Sequence, residues 1–131
     1  MEKLKTYTDE RGSLTLVEEG KEIPFGIQRA FWIYDVPEGA ERGWHANSVC
    51  YEYLIAVAGS VDVTLEDCNG RESYLLDSRS KGLLVPPNTW AEFRNFSPDA
   101  VLLALASHSY NPDTYINSYD DFLTHINKKQ E

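Results

Sequence analysis

From Val61 to Glu66 the chain alternates without a break, with Val61, Val63 and Leu65 on one side and Asp62, Thr64 and Glu66 on the other. A period of two is the mark of a strand with one buried face. Comparable short runs recur along the chain. Ser13 to Val17 alternates, Gln28 to Val36 is aromatic-rich and stops at Pro37 with a Glu38-Gly39 turn, and Val49 to Val57 is β-branched and aromatic. Tyr74 to Leu76, Gly82 to Val85, Trp90 to Phe96 and Ala100 to Ala106 follow. Asp67-Cys68-Asn69-Gly70 predicts a hairpin turn, because Asn-Gly supplies two residues tolerant of positive φ. Many short strands joined by turns predict an all-β sandwich or barrel. Only Ser118 to Asn127 has a helical period, with Tyr119, Phe122, Leu123 and Ile126 on one stripe and Ser118 with Asp121 as a cap; it predicts a short helix on the barrel exterior.

The 131 residues predict one domain, spanning 1–131. No apolar run reaches the ~18 residues of a membrane span. The charged start, MEKLKTYTDERG, has no apolar signal-like core, so the expected location is the cytoplasm, with Cys50 and Cys68 reduced. A net charge of −9 argues against nucleic acid and anionic membranes as partners, since both select a basic face. A small anionic ligand requires arginines gathered locally, and Arg29, Arg42 and Arg94 are the candidates.

The segment Arg42 to Ser60 carries the chemistry. His45-x-Asn47-x4-Glu52-x6-Gly59 has the spacing of the first motif of a cupin, with asparagine in place of the second histidine. The expected fold is a cupin-like double-stranded β-helix, a jelly-roll barrel with a short C-terminal α-helix. On a strand, His45 and Asn47 point to the same face, and Glu52 joins them from the next strand after a bend. Pro86 to Asn95 is a degraded second motif. Asn88 stands where glycine is usual, both being tolerant of left-handed backbone. Ala91 stands where that motif's metal-binding histidine would be. One imidazole and one carboxylate are a poor set for a catalytic first-row metal, so no metal site is expected.

Read whole, the chain resembles the cupin-type dTDP-hexose 3,4-ketoisomerases, the WxcM-like domains. The resemblance rests on Asp9-Glu10-Arg11-Gly12-Ser13-Leu14, Ile23-Pro24-Phe25, Arg29 before Phe31-Trp32-Ile33-Tyr34, Arg42-Gly43-Trp44-His45-Ala46, Pro86-Pro87-Asn88-Thr89-Trp90, and Tyr110 with Tyr115. It departs at Asn47, where the family has histidine. The resemblance implies a cofactor-free isomerase of a nucleotide-linked 4-keto-6-deoxyhexose, serving deoxysugar and surface-polysaccharide synthesis. It also implies a homodimer with exchanged N-terminal strands, which the segment Ile23-Pro24-Phe25 would seat.

The reaction assigns roles. A base removes the proton at C3, an enediol forms, and the proton returns at C4. His45 suits the base because its ordinary pKa lies near working pH. Tyr34 or a bound water is the candidate for the second proton, and Asn47 for a hydrogen bond to the sugar. Arg29 and Arg42 are candidates for the diphosphate. Trp44 and Trp90 are candidates for stacking, and Glu52 for substrate contact. Two alternatives stand beside the enzyme: a cupin that binds a sugar nucleotide without turnover, which Asn47 favours, and a metal-dependent cupin, which Asn47 and Ala91 disfavour.

Overall fold

The computed structural model describes residues 1–130. Its elements are β1 (Glu2–Lys3), β2 (Lys5–Asp9), β3 (Gly12–Leu16), β4 (Arg29–Tyr34), β5 (Arg42–Asn47), β6 (Glu52–Ala58), β7 (Val61–Asp67), β8 (Gly70–Leu76), β9 (Lys81–Val85), β10 (Trp90–Arg94), β11 (Val101–Ala106), a single 3-10 turn (Pro112–Thr114), β12 (Tyr115–Ile116) and α1 (Tyr119–Gln130). One five-stranded sheet runs β1-β9-β6-β11-β4 and a second runs β12-β5-β10-β7-β8. Among the described residues, strands β2 and β3 pair only with each other. The all-β jelly-roll architecture is as expected, but the sheets do not close into a barrel. Edge strands β4 and β12 are bridged by side chains, Arg29 Nη2 donating to the Tyr115 hydroxyl at 3.3 Å, instead of by a backbone ladder.

Alternation builds the core. The inward rows of β6, β7, β9, β10 and β11 supply Leu54, Ala56, Val61, Val63, Leu83, Val85, Phe93, Leu102 and Ala104 to one cluster between the sheets. Burying such residues contributes roughly 1.5–3 kcal/mol for each larger aliphatic or aromatic side chain. On β4 the same period sets Arg29, Phe31 and Ile33 inward, and Trp32 and Tyr34 outward. Gly59, the last residue of the first motif, has φ +64° and sits where a Cβ would meet the Ala100 Cα at 2.7 Å. Only glycine satisfies both conditions.

Three local differences from the sequence reading have plain causes. The β7–β8 turn is held by Asp67 Oδ1 accepting from the Asn69 amide at 2.8 Å, and only Gly70 takes a positive φ. Strands β1, β2 and β12 have no apolar run to announce them, being charged, fully exposed or two residues long. Ile23 is buried against Leu4, Tyr53 and Ile55 of its own chain, because these cover the outer face of the first sheet. The helix forms where expected, with the Ser118 hydroxyl accepting from the Asp121 amide at 3.3 Å. Phe122 and Ile126 bury their sides on Trp90 and Ala46. No helix among the described residues is long and apolar enough to cross a membrane.

Candidate active site

The gap between the β4 and β12 edges opens into a cleft of about 310 Å³. Arg29, Phe31 and Ile33 line it from β4, Glu52 from β6, and Arg42, Gly43 and His45 from β5. The segment carrying Tyr110, Tyr115 and Asn117 forms its remaining wall.

A backbone irregularity puts both Arg42 and His45 there. Three residues apart on a regular strand, they would face opposite ways. Here the β5–β10 register slips, with Ala91 opposite His45 and Glu92 opposite Gly43, so Trp44 is the extra residue of a β-bulge. Gly43 and Trp44 both take left-handed backbone, φ +80° and +59°. The sequence choice at Gly43 is forced, since a Cβ would lie 2.8 Å from the Ala91 carbonyl oxygen. The bulge re-aims the strand, as bulges do beside active sites.

Across the cleft, register explains a second pair. Glu52 and Arg29 both lie opposite Ala106 on β11, one from each side. Residues directly opposite share a face, so the small Ala106 methyl leaves space between a carboxyl and a guanidinium whose Cα atoms are roughly 10 Å apart, two strand spacings. Arg29 is held by Tyr115, with the Phe31 ring 5.1 Å and the Tyr110 ring 5.8 Å from its guanidinium carbon. Its buried Nε has no partner among the described residues.

The two titratable groups at the centre are displaced in opposite directions. Burial pushes the His45 imidazole below its ordinary pKa, and the positive charge of Arg42 adds to the effect. Burial pushes the Glu52 carboxyl above its ordinary value, and Arg29 takes back part of that rise. Both environments favour the uncharged form. The His45 ring meets the Tyr115 ring edge-on with centroids 4.9 Å apart.

The WxcM-like, C-terminal FdtA family model matches residues 1–127. The TDP-4-oxo-6-deoxy-alpha-D-glucose-3,4-oxoisomerase of Aneurinibacillus thermoaerophilus is 41% identical over 95% of this chain and 89% of its own length. The chain belongs to this family of sugar 3,4-ketoisomerases. Solved members superpose closely. A 3,4-ketoisomerase from Helicobacter canadensis matches with a TM-score of 0.92 at 42% identity, over 95% of this chain and 94% of that one. A histidine-to-asparagine mutant of the 3,4-ketoisomerase QdtA from Thermoanaerobacterium thermosaccharolyticum, solved in complex with TDP-4-keto-6-deoxyglucose, matches with a TM-score of 0.92 at 33% identity, over 97% and 92%.

In this sugar 3,4-ketoisomerase family member, the cleft gathers four of the eight residues the sequence nominates: His45, Arg29, Arg42 and Glu52. Of the other four, Asn47 lines only the narrow space below the cleft that His45 and Glu52 share, and three lie elsewhere. Tyr34 is 57% exposed on the outward row of β4, the face opposite Arg29 and Ile33. Trp44 is the bulged residue and is turned outward, its ring over the Arg94 guanidinium at 5.4 Å. Trp90 is buried beneath α1 against Phe122, because the strand's alternation assigns it to the outer face. Asn47 does share the His45 face, but its amide is spent on local structure. Its Oδ1 accepts from the Val49 and Cys50 amides at 3.0 and 2.8 Å, and its Nδ2 donates to Thr114 Oγ1 at 3.0 Å. Arg94 is drawn into ion pairs with Glu92 and Glu41 on the outer face. The sequence reading missed Tyr115 as a cleft residue. Its only signal was the paired tyrosines, Tyr110 and Tyr115.

Proposed function

We propose that this protein is a TDP-sugar 3,4-ketoisomerase that moves the ketone of a nucleotide-linked 4-keto-6-deoxyhexose from C4 to C3, feeding deoxysugar and surface-polysaccharide synthesis. The observation that carries the reading is one imidazole, His45, aimed into a cleft flanked by Arg29 and Arg42. Burial and the Arg42 charge favour the uncharged imidazole, the form that can take the C3 proton and return it at C4. The two arginines give the cleft a positive balance in a chain whose net charge is −9, which is what a diphosphate requires. A volume of about 310 Å³ suits a hexose, with the nucleotide extending past the mouth.

Binding without turnover is the competing reading, and the loss of a motif histidine at Asn47 favours it. The test is incubation with TDP-4-keto-6-deoxyglucose in deuterated water, followed by NMR at C3 and C4. Ketone migration with solvent deuterium entering the sugar is expected. A spectrum that shows a bound but unchanged 4-keto sugar decides for the binder.

A homodimer belongs to the same proposal. Among the described residues the β2–β3 hairpin pairs with no other strand, and it presents Tyr7 and Leu14, each 59% exposed. A hairpin that shares no ladder with either sheet and exposes two large apolar side chains invites cover by a second copy. Light scattering on the purified protein is expected to give twice the chain mass, and a monomer at micromolar concentration would remove this part.

A further inference from the structure

Resting on the isomerase reading, we infer that Glu52 is the second proton carrier of this site, the group that moves a proton between the sugar's O4 and O3 while His45 serves the carbons. The reaction requires two carriers. His45 accounts for C3 and C4, and the motif position that would supply a partner holds Asn47, whose amide does not titrate, donates to Thr114 and accepts from Val49 and Cys50. Tyr34 faces away from the cleft. Arg29 and Arg42 stay protonated throughout.

Glu52 meets the requirement on geometry. It lies on the sheet opposite His45, and both residues line the cleft and the narrow space below it bounded by Ala91, Val85 and Thr89. It is 8% exposed, and no hydrogen bond to its carboxyl is found among the described residues. Burial works against the charged carboxylate and the facing Arg29 works for it, and in the proposed cycle Glu52 starts as the acid. The charged or titratable groups facing it are Arg29 from β4, His45 and Arg42 from β5, Cys50 from the preceding bend, and Tyr110 and Tyr115 from the cleft wall.

The steps balance. Neutral His45 takes the C3 proton; the C–H pair becomes the C3=C4 double bond, and the carbonyl π pair moves onto O4, which takes the Glu52 proton. The result is a neutral enediol between an imidazolium and a carboxylate. The Glu52 carboxylate then removes the O3 hydroxyl proton. That O–H pair forms the C3 carbonyl, and the double-bond pair takes the His45 proton at C4. Both residues end as they began, and no oxidant or further reactant is consumed.

The test is Glu52→Gln, close in size but without the acid, alongside Glu52→Asp. With TDP-4-keto-6-deoxyglucose, kcat for ketone migration is expected to fall about 10²-fold in the glutamine variant, within the usual range for acid–base help, while KM changes little. Aspartate is expected to restore part of the loss. The wild-type pH profile should fall on both sides, because His45 must be unprotonated and Glu52 protonated. Glu52→Gln should keep the acidic limb and lose the alkaline one. A glutamine variant with wild-type turnover and an unchanged profile overturns the inference and leaves the isomerase reading standing. A wild-type protein that leaves the ketone at C4 ends that reading first, and this inference with it.

Discussion

Asparagine in place of His45 is expected to lower ketone migration by about 10²–10⁴, the usual worth of a positioned general base. The loss should fall on kcat, since Arg29, Arg42 and the aromatic wall of the cleft are untouched. The fold should survive. No protein hydrogen bond to the His45 ring is found among the described residues, so the substitution orphans no buried partner. A second readout checks the electrostatic environment of the imidazole. Because burial and Arg42 hold the folded-state pKa of His45 below the ordinary histidine value, the unfolded chain binds its proton more readily. Wild-type stability therefore drops as pH falls from the ordinary histidine value through the lower, folded one. The asparagine variant lacks that drop and should gain on the wild type in acid. Melting curves across that range check the sign, and single-turnover NMR checks the rate. Undiminished turnover in the variant would sink His45 as the base.

Much of this molecule is written in local pattern, and the legible part ends where spacing stops determining direction. The strict period of β7 and the alternation of β11 follow from one buried face each, so the core could be read directly. The arginine at position 29 could be placed in the cleft because it continues the inward row of Phe31 and Ile33. The same period assigns Tyr34 outward, so that nomination failed on parity alone. Trp44 was harder. The bulge at Gly43 and Trp44 turns the tryptophan out and brings Arg42 and His45 together, and its sequence trace is a single glycine whose need appears only once the Ala91 carbonyl is seen 2.8 Å away. Asn47 sits where the motif predicts, yet its Nδ2 donates to Thr114, 67 residues downstream, which no local reading supplies. The cleft itself depends on two sheet edges that do not pair, a property of topology alone.

Glu92 shows the same limit in energetic form and carries the largest stability effect expected here. Alternation on β10 sets this glutamate on the outer face, where a solvated charge would be the natural reading. Trp90 and α1 cover that face, and the residue is left 2% exposed. Its carboxylate accepts from the Trp90 indole at 2.9 Å and from Arg71 at 2.7 Å, and it is also paired with Arg94. Arg71 goes on to Glu66, whose carboxylate accepts from the Tyr119 hydroxyl at the start of α1. The network thus ties β7, β8 and β10 to the helix. Burial alone would push the Glu92 pKa up; hydrogen bonds from Arg71 and Trp90 and the two arginine charges outweigh it and hold the group below the ordinary carboxylate value. Breaking a buried pair from one side costs about 3–5 kcal/mol, and the exposure of Arg71 and Arg94 lets their charges turn to water, so Glu92→Gln is expected to cost about 2–3 kcal/mol. At this chain length that is a fall in Tm of about 10 °C. The sign with pH follows from the depressed pKa: the stabilisation is complete above the ordinary carboxylate value and is lost as pH falls through the folded one. The difference in Tm between wild type and variant should therefore be largest at neutral pH and shrink on acidification, whereas a constant gap would mean that Glu92 contributes through packing and not through its charge.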